Sequence, residues 1–203
     1  KEVLLKEVHH RVKNNLQVII SLLRLQALPL DDEVIKGQLR DTQNRVRSMA
    51  LVHEQLYGAS DLAHISLRSY VQQLAATVLR SYNVHGSQIS LDLAVEADLE
   101  LTIDIAAPLG LILTEIISNS VKYAFAGRQR GTIAISAGRA AATLTVSVAD
   151  DGPGLPEGFD PQAGTSLGLT MVHRLAVQLG GAITIGPPPG TRFELTIPLQ
   201  AKE

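Results

Sequence analysis

The 203-residue chain has no cysteine and no tryptophan, and only three phenylalanines and four tyrosines. Without cysteine there are no disulfides and no thiolate-held metals, which fits a reducing compartment and a cytoplasmic location. So few aromatic rings leave little for a base-stacking platform, and a formal net charge of -2 gives no general pull on polyanions, so nucleic acid is not an expected partner. No uninterrupted apolar run reaches the roughly 18–20 residues that cross a bilayer, and the charged, amphipathic opening is unlike a signal peptide; no membrane segment is expected. The sequence opens at Lys1 already inside a helical pattern, and reads as a fragment whose upstream sensor is missing.

What is present is 45% hydrophobic, enough for one small α/β domain with a helical appendage. Leu5, Val8, Val12, Leu16, Ile19 and Leu23 mark one stripe of a long amphipathic helix, which Pro29, Asp31 and Asp32 stop. A second helix is expected from about Glu33 to Tyr57, with Ile35, Leu39, Thr42, Val46, Met49, His53 and Leu56 at heptad-like spacing. Such a hairpin buries one seam only, so two copies forming a four-helix bundle, a homodimer, is the economical arrangement.

We therefore divide the chain into a helical hairpin, 1–58, a linker, 59–65, and a second domain, 66–203. In the last, helices are expected at Ser66–Tyr82, Pro108–Phe125 and Ser166–Leu179. Strands are expected at Ile89–Val95, Gly131–Ala137, Ala142–Ala149, Ala182–Ile185 and Arg192–Pro198. The order lacks a regular βαβ alternation, which predicts a two-layer α/β sandwich on a mostly antiparallel sheet.

Glu115, Asn119, Lys122 and Tyr123 fall within an arc of roughly 100° on the Pro108–Phe125 helix. An amide oxygen from Asn119 suits Mg²⁺, a hard cation, and Glu115 is placed to hold a bound water; the same face would also serve as an ordinary solvated surface. Asp150 follows an apolar strand in VADDGPGLP, and its carboxylate can accept a hydrogen bond from an exocyclic amine such as that of adenine. Gly152 and Gly154 would let backbone approach a flat ligand, although Asp-Gly-Pro-Gly is also a common turn. GTSLGL then opens a helix whose free N–H groups suit phosphate or a simple cap.

TEIISNSVKYA, DDGPG, GTSLGL and PGTRF, in that order, resemble the N box, the two glycine boxes and the terminal threonine of the GHKL ATPases, which include sensor histidine kinases and gyrase. The resemblance runs from about Ser66 to Leu199 and implies ATP and Mg²⁺ as cofactors and a Bergerat-type ATP domain. It implies Asn119 as Mg²⁺ ligand, Glu115 as its acidic companion and Asp150 as adenine reader. Lys122 and Tyr123 would flank the nucleotide, Gly152, Gly154, Thr165, Ser166, Leu167 and Gly168 would line lid and phosphates, and Thr191 would support the adenine end.

His9 and His10 are adjacent, so they face apart; His10 lies about 160° from the apolar stripe and points to solvent, His9 only about 60° from it. EVHHRVKNNLQ and RVRSMALVHEQLY closely resemble the phosphoacceptor hairpin of a subgroup of sensor histidine kinases related to the HWE kinases. The histidine before Arg is phosphorylated there, which is His10 here. The lack of tryptophan removes the Trp-x-Glu signature of the HWE kinases proper and places the chain in the sister subgroup. Arg11 stands where commoner histidine kinases carry an acid; Glu7, about 60° round the helix, is a candidate acceptor for the His10 ring and equally an i,i+4 partner for Arg11. The resemblance implies autophosphorylation of His10 from Mg-ATP and transfer to an aspartate on a response-regulator receiver domain. The rival is a GHKL protein-serine kinase or ATPase switch.

Overall fold

The computed structural model describes residues 2–58, 64–82, 88–156, 167–187 and 189–199, without the side chains of 2–6, 9 and 56–58. Helix α1, Glu2–Ala27, and helix α2, Glu33–Gly58, form the hairpin. Asp32 caps α2, its Oδ1 accepting from the backbone N–H of Val34 at 2.8 Å and Ile35 at 3.2 Å. Val12, Leu16, Ile20 and Leu23 of α1 are half-buried, while Val8, Val18, Ile19, Leu22 and Leu25 are exposed. The hairpin packs on one stripe and leaves a second apolar stripe uncovered.

The second unit places helices α3, Leu67–Ser81, α4, Ile103–Asn119, and α5, Leu167–Gln178, against a five-stranded sheet. Its strands are β2, Gln88–Val95, β4, Arg130–Ala140, β5, Thr143–Asp150, β6, Ala182–Ile185, and β7, Thr191–Pro198, in the order β2-β4-β5-β7-β6. Only β2 and β4 are parallel. Two further strands, β1, Ile65–Ser66, and β3, Glu100–Leu101, make a two-residue antiparallel bridge that alternation over so short a span could not signal. The expected two-layer sandwich on a mostly antiparallel sheet is present. Leu109, Ile112, Leu113 and Ile117 of α4 meet Ile133, Ile135, Val146 and Val148 of the sheet in one core. By length and hydropathy the segment Ile103–Ala124 would cross a bilayer, but 72% of its apolar window is buried inside the fold, as in a core helix.

Two differences from the sequence reading matter for the site. Helix α4 starts at Ile103, five residues before Pro108, and tolerates the proline near its first turns. It also stops being α-helical at Asn119: Ser120–Ala124 is a π turn, closed by Phe125 N–H donating to Ser120 O at 3.2 Å. The expected helix from Ser166 is α5 from Leu167, and Thr165 and Ser166 lie outside the described residues.

The deepest burial on α2 is at Asn44 and Val52, each 1% exposed, and at Ser48 and Gln43, and not along its heptad residues Leu39, Thr42 and Val46. This polar face meets α4, which packs across it.

Candidate active site

A cavity of about 460 Å³ opens between the π turn, the end of β5, the following loop, α5 and β7. Asn119 and Tyr123 line it from α4 and the π turn, Asp150 and Gly154 from β5 and its loop, and Thr191 from β7. Asp150 is its organising carboxylate. Oδ1 accepts the backbone N–H groups of Gly152 at 3.0 Å and Thr191 at 3.1 Å, and Oδ2 accepts from Ser120 Oγ at 2.8 Å. An ionised carboxylate offers about four lone-pair sites, so one acceptor position remains for a ligand amine. β5 and β7 pair Asp150 with Thr191 directly, which is why a strand end and a distant PGTRF segment meet.

Gly152 has a different reason from the one its sequence suggested. A Cβ there would lie 2.4 Å from Ala124 Cβ, so this glycine lets the loop close on the π turn, and it does not line the cavity. Gly154 does line it, at φ +83°, in the left-handed region that favours glycine. Leu167 stands exposed at the start of α5 and Gly168 follows it, neither at the cavity wall. Leu169 and Phe193, the last residues of GTSLGL and PGTRF, are at the wall and supply an apolar floor, a role the sequence reading did not give them. The signal existed for Phe193, the inward residue of an alternating strand beside Thr191.

Glu115 and Lys122 are absent from the cavity. The arc that joined them to Asn119 assumed 100° per residue throughout; the wider π turn swings Lys122 off that face while Tyr123, 72% exposed, stays at the rim. Lys122 Nζ instead pairs with Asp41 Oδ2 on α2 at 2.5 Å. Glu115, only 5% exposed, faces α2 and receives Arg45 through Nε at 2.5 Å and Nη2 at 3.1 Å. That bidentate bond holds the Arg45 guanidinium above its usual pKa against the opposing effect of burial.

On α1, His10 is exposed, and with Glu7, Arg11, Asn14 and Asn15 it lines a shallow polar depression. Glu7 Oε1 accepts from Arg11 Nε at 2.7 Å, the i,i+4 pairing that was one of its two readings. The His10 Nδ1 atom has Asn14 Nδ2 at 3.4 Å. His9 has no described side chain. Among the described residues there is no cluster of three or more His, Asp or Glu side chains able to hold a metal. Asn119, at the cavity wall, carries an amide oxygen, a hard donor of the kind Mg²⁺ shares with nucleotide phosphates.

Residues 7–82 match the family model described as histidine kinase, and 104–201 the model for histidine kinase-, DNA gyrase B- and HSP90-like ATPases. The sensor histidine kinase PdtaS of Mycolicibacterium smegmatis is 34% identical over 203 residues, covering 98% of this chain and 40% of the relative. Blue-light-activated histidine kinase 2 of Erythrobacter litoralis is 28% identical, over 98% of this chain and 58% of its own length. The chain thus spans well under two thirds of these relatives. The solved histidine kinase domain of a blue-light-activated kinase from Erythrobacter litoralis superposes with a TM-score of 0.70 at 28% identity, over 96% of this chain and 90% of that one. The hairpin with its exposed histidine falls in the first matched model and the α/β domain in the second, and the chain belongs to the histidine kinases as a sensor-kinase core with a GHKL-type ATPase domain.

Proposed function

We propose that this core phosphorylates its own His10 from Mg-ATP and passes the phosphoryl group to an aspartate on a response-regulator receiver domain. The observation that carries the reading is the pairing, in one chain, of an exposed His10 with a cavity where Asn119, Asp150 and Thr191 converge. Asp150 would read the adenine amine through its remaining acceptor position, and Thr191, bonded to Asp150, would hold that carboxylate in place. Asn119 would share Mg²⁺ with the phosphates, and Tyr123 would close the rim. ATP supplies the phosphoryl group, and the protein contributes positioning and charge stabilisation.

Attack by His10 Nε2 requires the neutral ring with its proton on Nδ1. Asn14, turned so that its carbonyl faces Nδ1, is the side chain placed to accept that proton's hydrogen bond. Two copies would cover the exposed stripe of Val8, Val18, Leu22 and Leu25 in a four-helix bundle, giving a homodimer. A first domain of 1–58 would close with α2, while a second domain beginning at 66 would divide β1.

Incubation with labelled Mg-ATP tests the reading. Acid-labile, base-stable label that a receiver domain then removes is the expected result; acid-stable label would instead favour a protein-serine kinase, and hydrolysis without label an ATPase switch.

A further inference from the structure

Asp150 and Asp151 are consecutive and serve different neighbours. Asp150 lines the cavity, whereas Asp151 is not at its wall. Asp151 instead carries the β4–β5 pairing one step past its last register pair, Ile133 with Asp150. Its N–H donates to Thr132 O at 3.3 Å, and its Oδ1 accepts the Thr132 N–H at 3.1 Å. A side-chain carboxylate thus stands in for a ladder carbonyl where β5 leaves the sheet and the Asp-Gly-Pro-Gly loop begins.

Arg128, in the loop between the π turn and β4, reaches the same residue and is likewise absent from the cavity wall. Its Nη1 donates to Asp151 O at 2.6 Å and lies 3.4 Å from Asp151 Oδ1, while its guanidinium carbon is 5.8 Å from the centre of the Phe125 ring. Phe125 is 5% exposed and anchors this end of the loop. Its N–H closes the π turn, its carbonyl accepts the Arg128 N–H at 3.0 Å, and its ring covers Gly131, where a Cβ would lie 2.3 Å from the ring. Arg128 and Asp151 are each about half exposed, so their pairing contributes little to global stability. What it supplies is position, because it ties the turn carrying Ser120 and Tyr123 to the residue after Asp150. On the cavity side the same two segments meet again, through Ser120 Oγ on Asp150 Oδ2 and through Gly152 closing on Ala124.

We propose that Arg128 and Asp151 are positioning residues for the nucleotide, a clamp on the outer side of the cavity that holds the π-turn wall and the Asp150 wall at their binding separation before a ligand arrives. This rests on the reading of the cavity as an ATP site. Neither side chain is at the cavity wall, so both act through Asp150 and the turn. Walls fixed in advance lower the ordering cost of binding, and the gain appears as affinity. Because the clamp adjoins the carboxylate proposed to read adenine, and not Asn119, it serves ATP and ADP alike and has no part in phosphoryl transfer once ATP is bound.

The test compares the whole chain with its Arg128→Ala, Arg128→Lys and Asp151→Ala variants. Calorimetry with ATP and with ADP is expected to show both alanine variants binding about three- to tenfold more weakly, the scale of one hydrogen bond's net contribution, by the same factor for the two nucleotides. Arg128→Lys, which keeps a charged donor, should recover part of the loss, and the Arg128→Ala, Asp151→Ala double variant should lose less than the product of the two single losses. Labelling of His10 at saturating ATP should stay within about twofold of wild type, since only affinity is affected. A second measurement needs no nucleotide: amide hydrogen exchange at Phe125 and Gly152 should quicken about three- to tenfold in Arg128→Ala while the melting temperature stays near the wild type. Unchanged affinity, unchanged exchange, or a loss that follows a fall in melting temperature overturns the clamp. A wild-type chain that binds neither nucleotide refutes the ATP reading, and the exchange rates then decide the clamp alone.

Discussion

Asp150 and Thr191 are joined twice: as partners in the β5–β7 register, and by the Thr191 N–H donating to Asp150 Oδ1 at 3.1 Å. The carboxylate is thereby aimed from the end of a strand and cannot swing out of the cavity. Asp150→Asn can still accept both backbone N–H groups, so its melting temperature should stay near the wild type. ATP affinity should fall by about 1.5–3 kcal/mol for loss of a charged hydrogen bond. Calorimetry finding unchanged affinity would contradict an adenine-reading role.

His10→Gln should abolish label from Mg-ATP, and His9→Gln should keep a substantial part of it. Only position 10 lies opposite the apolar stripe. Mass spectrometry under non-acidic conditions that found phosphate on His9 would reverse the assignment.

Asn119→Ala should remove Mg²⁺-dependent labelling while circular dichroism stays unchanged, because the side chain faces the cavity and not the core. Titrating Mg²⁺ against the variant checks it: full activity at wild-type metal concentrations would release Asn119 from the metal.

Glu7→Gln should slow labelling by less than about threefold, well short of the 10²-fold low end for acid–base assistance. Its carboxylate is engaged by Arg11 at 2.7 Å, and both side chains are at least half exposed, so the pair contributes little to stability. A hundredfold loss would show that Glu7 leaves Arg11 and serves the His10 ring after all.

Tyr70 and Tyr82 should make the fold sensitive to alkali. Burial pushes both phenols above their ordinary value of 10.0, and Asp41 adds to the rise at Tyr82. A group whose folded pKa is raised stabilises fully below its unfolded value and loses that contribution as pH climbs toward the folded one. Unfolding free energy should therefore decline from about pH 10 upward. Ultraviolet titration should show two of the four tyrosines ionising only as the chain unfolds. All four titrating together near pH 10 before unfolding would contradict this.

The order of helices and strands was legible because each carries its own period: α3, β2, β4, β5, α5, β6 and β7 fall within a few residues of the sequence reading. The cavity was legible where chemistry is local to a motif, as at Asn119, Asp150, Gly154 and Thr191. What escaped was set by neighbours far along the chain. Nothing near Glu115 announces Arg45, seventy residues earlier, and the burial of Gln43, Asn44 and Ser48, off the heptad positions of α2, follows from α4 lying on that face. The π turn escaped for another reason: SVKYA has no composition that distinguishes a five-residue step from an α turn, so the helical arithmetic ran on past the point where it held.

That turn gives neighbouring residues separate duties. Lys122 answers to the hairpin and Tyr123 to the cavity rim, one peptide bond apart, where a regular helix would have turned both toward the same space. Substitution at positions 41 or 122 therefore changes how the ATP domain meets the hairpin without touching the cavity wall. A one-residue deletion inside 120–124 would do the reverse, restoring α-helical phase and merging two independently tunable settings into one.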